Sequence, residues 1–369
     1  MDEFARKGSV NLKQEVIQAG WCVSCGLCAD MCPYIKTVED RIAIVHECNA
    51  DEGNCYKVCP RTATDYSFLH RQIRDSDDYD YILGGYRKIY MARAINNSHH
   101  ESGQYGGVVT ALTAMSLREG LVDSSLLTAN SVEDSRPEYV IAMDEENVIR
   151  AAGSKYVVYP TVRGLYQREM SQKDKTLVVG RPCQVTGLRK MQHYTSVAQG
   201  KKVEFIIGLF CFWGLEYAFY NYLEDELGIH SITSIDIPKN RGAIIKTSSE
   251  VHEVPLEKVR TFIRRGCHSC FDPTSELADV SVGSTESETS WCTLISRTEK
   301  GNELVNKAIS LGVIEVRSYS SELEEQLREA VRNKKARVLL EKHETVSVNR
   351  SYLRINDSLQ EKLKGGSVS

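Results

Sequence analysis

The chain has 369 residues, a formal net charge of −4, and 41% hydrophobic against 26% charged residues. This is an ordinary globular mix, without the basic excess that a nucleic-acid surface needs. No apolar run approaches the ~18 residues of a transmembrane helix, and the N-terminus "MDEFARKGSVNLKQEV" lacks the apolar stretch of a signal peptide, so a cytoplasmic protein is expected.

Twelve cysteines in such a chain point to metal ligation rather than disulfides. The first element is "GWCVSCGLCADMCPY", where Cys22, Cys25, Cys28 and Cys32, followed by Pro33, have the C-x2-C-x2-C-x3-C-P spacing of bacterial ferredoxins. In that run a tight loop wraps successive thiolates around a cubane, and the fourth cysteine ligates the other cluster. Gly26 is expected to let the backbone come close to the cluster. A zinc site normally uses two separated pairs, which this run does not resemble. The second element, "HECNADEGNCYKVCPR", repeats the pattern with Cys48, Cys55 and Cys59-Pro60, and Asp51 stands where a cysteine is missing. Crossed ligation assigns Cys22, Cys25, Cys28 and Cys59 to one 4Fe-4S cluster. Cys32, Cys48 and Cys55 go to a second with an open corner: a labile fourth iron, a 3Fe-4S cluster, or Asp51 as ligand. The alternative is that Asp51 is a solvated loop residue and the second cluster is absent. Residues 1–75 therefore form a ferredoxin-like iron–sulfur domain.

A turn-rich linker, "RDSDDYDYILGGYR", follows. Beyond it helices and strands alternate. "VVTALTAMSLREG" is a helix closed by glycine; "SSLLTA" and "EYVIAMD" are strands. "KTLVVG" and "VEFIIGLFC" are buried strands, the second followed by the helix "GLEYAFYNYLEDELGI". "ITSIDI", "GAIIKTSS", "ADVSVGS" and "WCTLISRT" are short strands, "KGNELVNKAISLG" an amphipathic helix and "GVIEVRSYS" a strand. "SSELEEQLREAVRNKKARVLLEKH" is a long polar helix, expected at the periphery. Residues 80–345 thus make an α/β (α+β) domain, and 346–369 a tail whose end, "LQEKLKGGSVS", is disordered unless it docks.

Three stretches of this domain carry binding chemistry. Gly106 and Gly107 precede a helix, so N–H groups there can meet a phosphate or a flavin edge; a plain tight turn is the alternative. Gly153, Ser154, Lys155 and Tyr156 offer hydroxyls and a cation, or simply an ordinary loop. "VVGRPCQVTGLRK" runs from a strand end into a helix, where α/β folds bind ligands. Cys267 and Cys270 form a C-x2-C, suited to a metal or to redox chemistry; Cys183 and Cys211, taken alone, would pass for buried hydrophobes.

In this order, the stretches G-G-V-V-T-A-L, G-S-K-Y, G-R-P-C-Q-V, G-L-F-C, C-x2-C-F-D, E-L-A-D-V-S-V-G and W-x5-R-T resemble the beta subunit family of coenzyme F-420 hydrogenase and dehydrogenase, from about residue 88 to 315. The family serves hydrogenases, formate dehydrogenases and membrane F-420 dehydrogenases, and a plant relative reduces a chlorophyll intermediate. The resemblance implies FAD and a cubane on Cys183, Cys211, Cys267 and Cys270. It implies that Gly106, Gly107, Val108 and Thr110 approach the flavin, with Ser154, Lys155 and Tyr156 near its phosphates or ring. Cys292 matches no ligand and is expected in the core. The loop "STESETSW" departs from the family's glycine-containing turn.

A flavin exchanges a hydride for single electrons, so the resemblance implies an oxidoreductase subunit that passes electrons between coenzyme F-420, as substrate, and two or three clusters. NADH or NADPH as donor, and a pure relay without a soluble donor, are the alternatives. Lys155 would favour an anionic reduced flavin, and His268 stands to tune electron flow; a surface lysine and a loop histidine are the plain alternatives. His99 and His100 are expected in a loop. No paired C-x2-C nickel ligands occur, so a separate catalytic subunit is expected, such as a hydrogenase, formate dehydrogenase or heterodisulfide reductase, with ferredoxin as a further partner.

Overall fold

A computed structural model provides the architecture and describes residues 6–74, 79–171, 174–285, 288–339 and 349–354. The N-terminal part begins with a helical turn, Ser9–Leu12, that widens into a π-helical stretch over Lys13–Gln18. Between its cysteine loops lies an antiparallel hairpin of β1 (Ile35–Val38) and β2 (Arg41–Ile44). Next, β3 (Thr64–Asp65) leads into the helix Tyr66–Ile73. Asp65 caps that helix by accepting the Phe68 N–H at 2.8 Å.

The following strands are β4 (Lys88–Ala94), β5 (Ser124–Asn130), β6 (Pro137–Ala142), β7 (Thr176–Gly180) and β8 (Val203–Leu209). β9 (Ser234–Asp236), β10 (Ala243–Lys246) and β11 (Val251–Val254) form a small antiparallel sheet of their own. β12 (Val280–Ser284), β13 (Cys292–Ser296) and β14 (Ile314–Ser318) complete an eight-stranded sheet in the order β14-β4-β13-β12-β8-β7-β5-β6. Its central strands β5, β7, β8 and β12 pair in parallel. Of these, β7 and β8 are the near-continuous apolar runs expected of strands buried on both faces. The α/β (α+β) expectation holds, with a mixed rather than parallel sheet. β4 was not legible, because Lys88 and Arg93 interrupt its apolar pattern.

Two expected helices differ. "GLEYAFYNYLEDELGI" is α-helical only over Ala218–Asn221 and then π-helical over Tyr222–Glu226. The long polar helix, Ser321–Leu339, is not peripheral. Its Lys334 and Lys335 are 4% and 0% exposed. Lys335 Nζ lies 2.6 Å from the fully buried Glu276 carboxylate, and Lys334 donates to the carbonyls of Phe212 and Cys267. Buried lysines need such partners, and no local pattern announces them.

One apolar core runs through both cysteine-bearing parts. Val23, Leu27, Val58 and Leu69 pack with Val178, Val185, Leu188 and Phe271. Gly26, at φ +92, is glycine for that contact: a Cβ would lie 2.4 Å from the Pro160 carbonyl oxygen. Within the expected tail, β15 (Leu353–Arg354) pairs in parallel with β3, and the end "LQEKLKGGSVS" lies outside the described residues. So do residues 75–78 of the linker, 340–343 of the long helix and 286–287 of "STESETSW". Among the described residues no helix is long and apolar enough to cross a membrane.

Lys335→Met would leave the buried Glu276 carboxylate with only the Tyr79 hydroxyl and His70 beside it, at a cost of about 3–5 kcal/mol. The anaerobic thermal midpoint should fall clearly, and the double variant Glu276→Gln/Lys335→Met should recover part of the loss.

Candidate functional site

The carboxyl ends of β7, β8 and β12 open into a cavity of about 840 Å³, reached by Gly180, Leu209 and Gly283. This is the position where open α/β sheets bind ligands, and the volume lies in the upper range for cofactor sites. Gly107, Val108 and Thr110 line one wall, at the start of the helix Val108–Arg118. Gly107 adopts φ +66, and a Cβ there would stand 2.2 Å from the His99 carbonyl oxygen. Gly106 lies just behind this wall and donates its N–H to Cys292 Sγ at 3.2 Å.

Ser154, Lys155 and Tyr156 line the opposite side. Lys155 Nζ donates to the carbonyls of Ala151, Ala152 and Gly153 at 2.7, 2.5 and 3.0 Å, and burial pulls its pKa down to about 8. It closes the turn after the helix Glu145–Arg150. Tyr156 donates to Asp236 Oδ1 at 3.1 Å, and the Tyr105 hydroxyl and Gln104 amide reach the same oxygen. Asp236, Gln104 and Tyr105 are cavity residues that the sequence did not single out. They come from β9 and from the stretch before Gly106, far apart in the chain. Arg181, Trp213 and Arg337 also line the cavity, the last from the long helix.

The thiols form three neighbouring groups. Burial raises Cys25 well above the ordinary thiol range, and the thiols of Cys59, Cys183 and Cys22 add to this. Cys28 is raised by burial and by Cys25, Cys22, Cys59 and Cys55. Burial lifts Cys55 to about 11, with Cys32, Cys48 and Cys59 as thiol neighbours. Burial lifts Cys183 to about 11 and Cys211 to about 12, and both repel Cys267 and Cys270. The groups are therefore Cys22/25/28/59, Cys32/48/55 and Cys183/211/267/270. Each group borders another: Cys55 has Cys59 of the first group as a neighbour, Cys25 has Cys183 of the third, and Cys211 lines the cavity itself.

These donor sets suit iron–sulfur clusters. Packed thiols that repel one another need the positive charge of bound metal to ionise. Among the described residues no three His, Cys, Asp or Glu gather around a single-ion site, whereas a cubane spreads its ligands over several corners. Backbone N–H groups aim at the sulfurs: Ser24 to Cys22 at 3.5 Å, Ala50 to Cys48 at 3.4 Å and Arg61 to Cys59 at 3.4 Å. Asp51 is exposed on its loop.

Other motif residues are braces. Asp272 accepts the N–H groups of Thr274 and Glu276 at 2.9 and 2.8 Å. Asp279 binds Arg189 at 2.9 Å and the Thr298 hydroxyl at 2.8 Å. Arg297, fully buried, donates to the carbonyls of Leu83, Gly85 and Thr274. Cys292, expected in the core, is buried but also forms part of the cavity wall. His99 is not a loop residue: it is buried in the helix Asn97–Ser102, with Nε2 2.6 Å from Glu145. Ser284, Thr285 and Thr289, from the divergent loop, line the cavity.

Comparison with known proteins matches residues 89–165 to the N-terminal model of the coenzyme F-420 hydrogenase/dehydrogenase beta subunit, and residues 173–322 to its C-terminal model. A coenzyme F-420-dependent sulfite reductase of Methanocaldococcus jannaschii is 32% identical over 79% of this chain, which spans 46% of that relative's length. The coenzyme F-420 hydrogenase subunit beta of Methanothermobacter thermautotrophicus is 31% identical, over 64% of this chain and 86% of its own. A chain in the structure of the F-420-reducing nickel–iron hydrogenase complex from Methanosarcina barkeri is 29% identical, with a TM-score of 0.66 over 74% of this chain and 99% of that one.

Gly107→Ala combines left-handed strain of about 1–2 kcal/mol with the overlap on His99. Gly120, at φ +64, has nothing within 4 Å of its Cβ position. The thermal midpoint should therefore fall further for Gly107→Ala than for Gly120→Ala.

Proposed function

The chain belongs to the coenzyme F-420 hydrogenase/dehydrogenase beta subunit family, and from that premise we propose that it is the flavin- and cluster-bearing subunit of an F-420-dependent complex. It is an oxidoreductase subunit. Bound FAD supplies the exchange of a hydride for two electrons, which thiolate-held clusters carry singly.

The supporting observation is that Cys211 belongs both to the cavity wall and to the third thiol group. A flavin in this cavity would adjoin that ligand set without an intervening layer of protein. Gly107 and Val108 place a helix start on the cavity wall, where a phosphate can meet it. Tyr156, Gln104 and Asp236 offer a hydrogen-bonded polar cluster to hydroxyls. Phe210, Trp213 and Leu327 line the same space and keep bulk water from the transfer. The residues bind and orient, and the chain need supply no general acid or base. The remaining thiol groups lead away toward the half-buried Cys32 and Cys48, where a separate catalytic subunit would exchange electrons.

An anaerobic visible spectrum, recorded before and after adding reduced F-420, tests this. Flavin and cluster absorbance should bleach together. Bleaching by NADH or NADPH alone would replace the donor, and a colourless protein would remove the clusters. Cys211→Ser should lower iron by roughly four per chain and leave the flavin bound.

A further inference from the structure

Arg61 follows Cys59-Pro60 in the N-terminal part, yet its side chain belongs to the other half of the molecule. It is 5% exposed. Its backbone N–H donates to Cys59 Sγ at 3.4 Å. Its guanidinium donates to the Gly266 carbonyl at 3.2 Å and to the Tyr352 hydroxyl at 3.1 Å, and it stacks 4.9 Å from the Tyr352 ring centre. It also neighbours the thiols of Cys270 and Cys183. Its Nε is buried without a partner. An arginine keeps its charge in any protein setting, so this is a permanent positive charge with a spare donor, between the first and third thiol groups. Tyr352 in turn donates to the Ser269 carbonyl at 2.6 Å, so the guanidinium is held from both sides.

We propose that Arg61 is the positioning residue of the junction between the Cys22/25/28/59 and Cys183/211/267/270 clusters, stabilising the electron on either side and fixing their approach. This rests on the cluster assignment above. One electron leaves one cluster and enters the other; no bond forms or breaks and no proton moves. A fixed cation beside a cluster favours the reduced, more negative state and raises its potential.

The test is a mediator-coupled redox titration of the full-length protein, followed by electron paramagnetic resonance. Signals are assigned by their loss in Cys25→Ser and Cys270→Ser. Arg61→Gln should shift the Cys183/211/267/270 cluster to lower potential, while reduction of the flavin by reduced F-420 keeps its rate. Arg61→Lys keeps a charge without the planar fork and should give a smaller shift of the same sign. Equal potentials in wild type and Arg61→Gln would overturn the proposal. If Arg61→Gln fails to load iron, Arg61→Lys decides, and a potential unchanged from wild type overturns it. Absence of cluster signals in the wild type would instead overturn the cluster assignment, so the two failures are distinguishable.

Discussion

A single guanidinium ties the loop before Cys267 to the loop around Cys22. Arg264 donates to the Cys22 carbonyl at 3.1 Å, to Ser24 Oγ at 2.9 Å and to the Asp40 carboxylate at 2.8 Å, with both charged partners buried. Asp40 also accepts the Tyr217 N–H at 3.1 Å. Removing one member of such a pair leaves the other charged and dry, which destabilises far more than an exposed pair would. This tie adds to the shared apolar core and to the Arg61 contact with Gly266 in setting the first thiol group against the third.

Charge is what makes this arrangement tolerable. Packed thiols repel one another, and four buried basic side chains surround them. Lys190 holds the Cys59 carbonyl at 2.5 Å, Lys334 the Cys267 carbonyl, and Arg61 and Arg264 bridge the two loops. All come from elsewhere in the chain than the cysteines they support, except Arg61. The glycines serve the same closeness: at Gly266 a Cβ would meet the Trp21 carbonyl oxygen at 2.4 Å, and at Gly187 the Leu27 side chain at the same distance.

Legibility in the sequence followed the distance between interacting residues. The Cys22–Cys32 run and the strands β7 and β8 are local patterns, and they were readable. Cys183 and Cys211 became candidate ligands only through resemblance, because a lone cysteine at a strand end carries no signal. Gly107, Ser154 and Tyr156 were singled out, but Asp236 and Gln104, which hold Tyr156, are 80 and 52 residues from it and belong to no motif. Buried Lys334 and Lys335 looked like a solvated face, since a sequence cannot show a partner such as Glu276. Gly26 also packs against the Pro160 carbonyl, and Glu276 and Asp279 of the E-L-A-D stretch brace buried cations, roles that no local pattern announces.

The pairing of β15 with β3 bears on how the chain is made. Tyr352, whose carbonyl accepts the Thr64 N–H at 2.7 Å, is synthesised long after every cysteine has left the ribosome. A nascent chain that ends between Cys292 and residue 349 has all twelve thiols but lacks the strand that closes over Arg61 and Ser269. Completion of the junction is thus coupled to translation past Tyr352, and until then the cysteine loops lack one of the contacts that hold them in place.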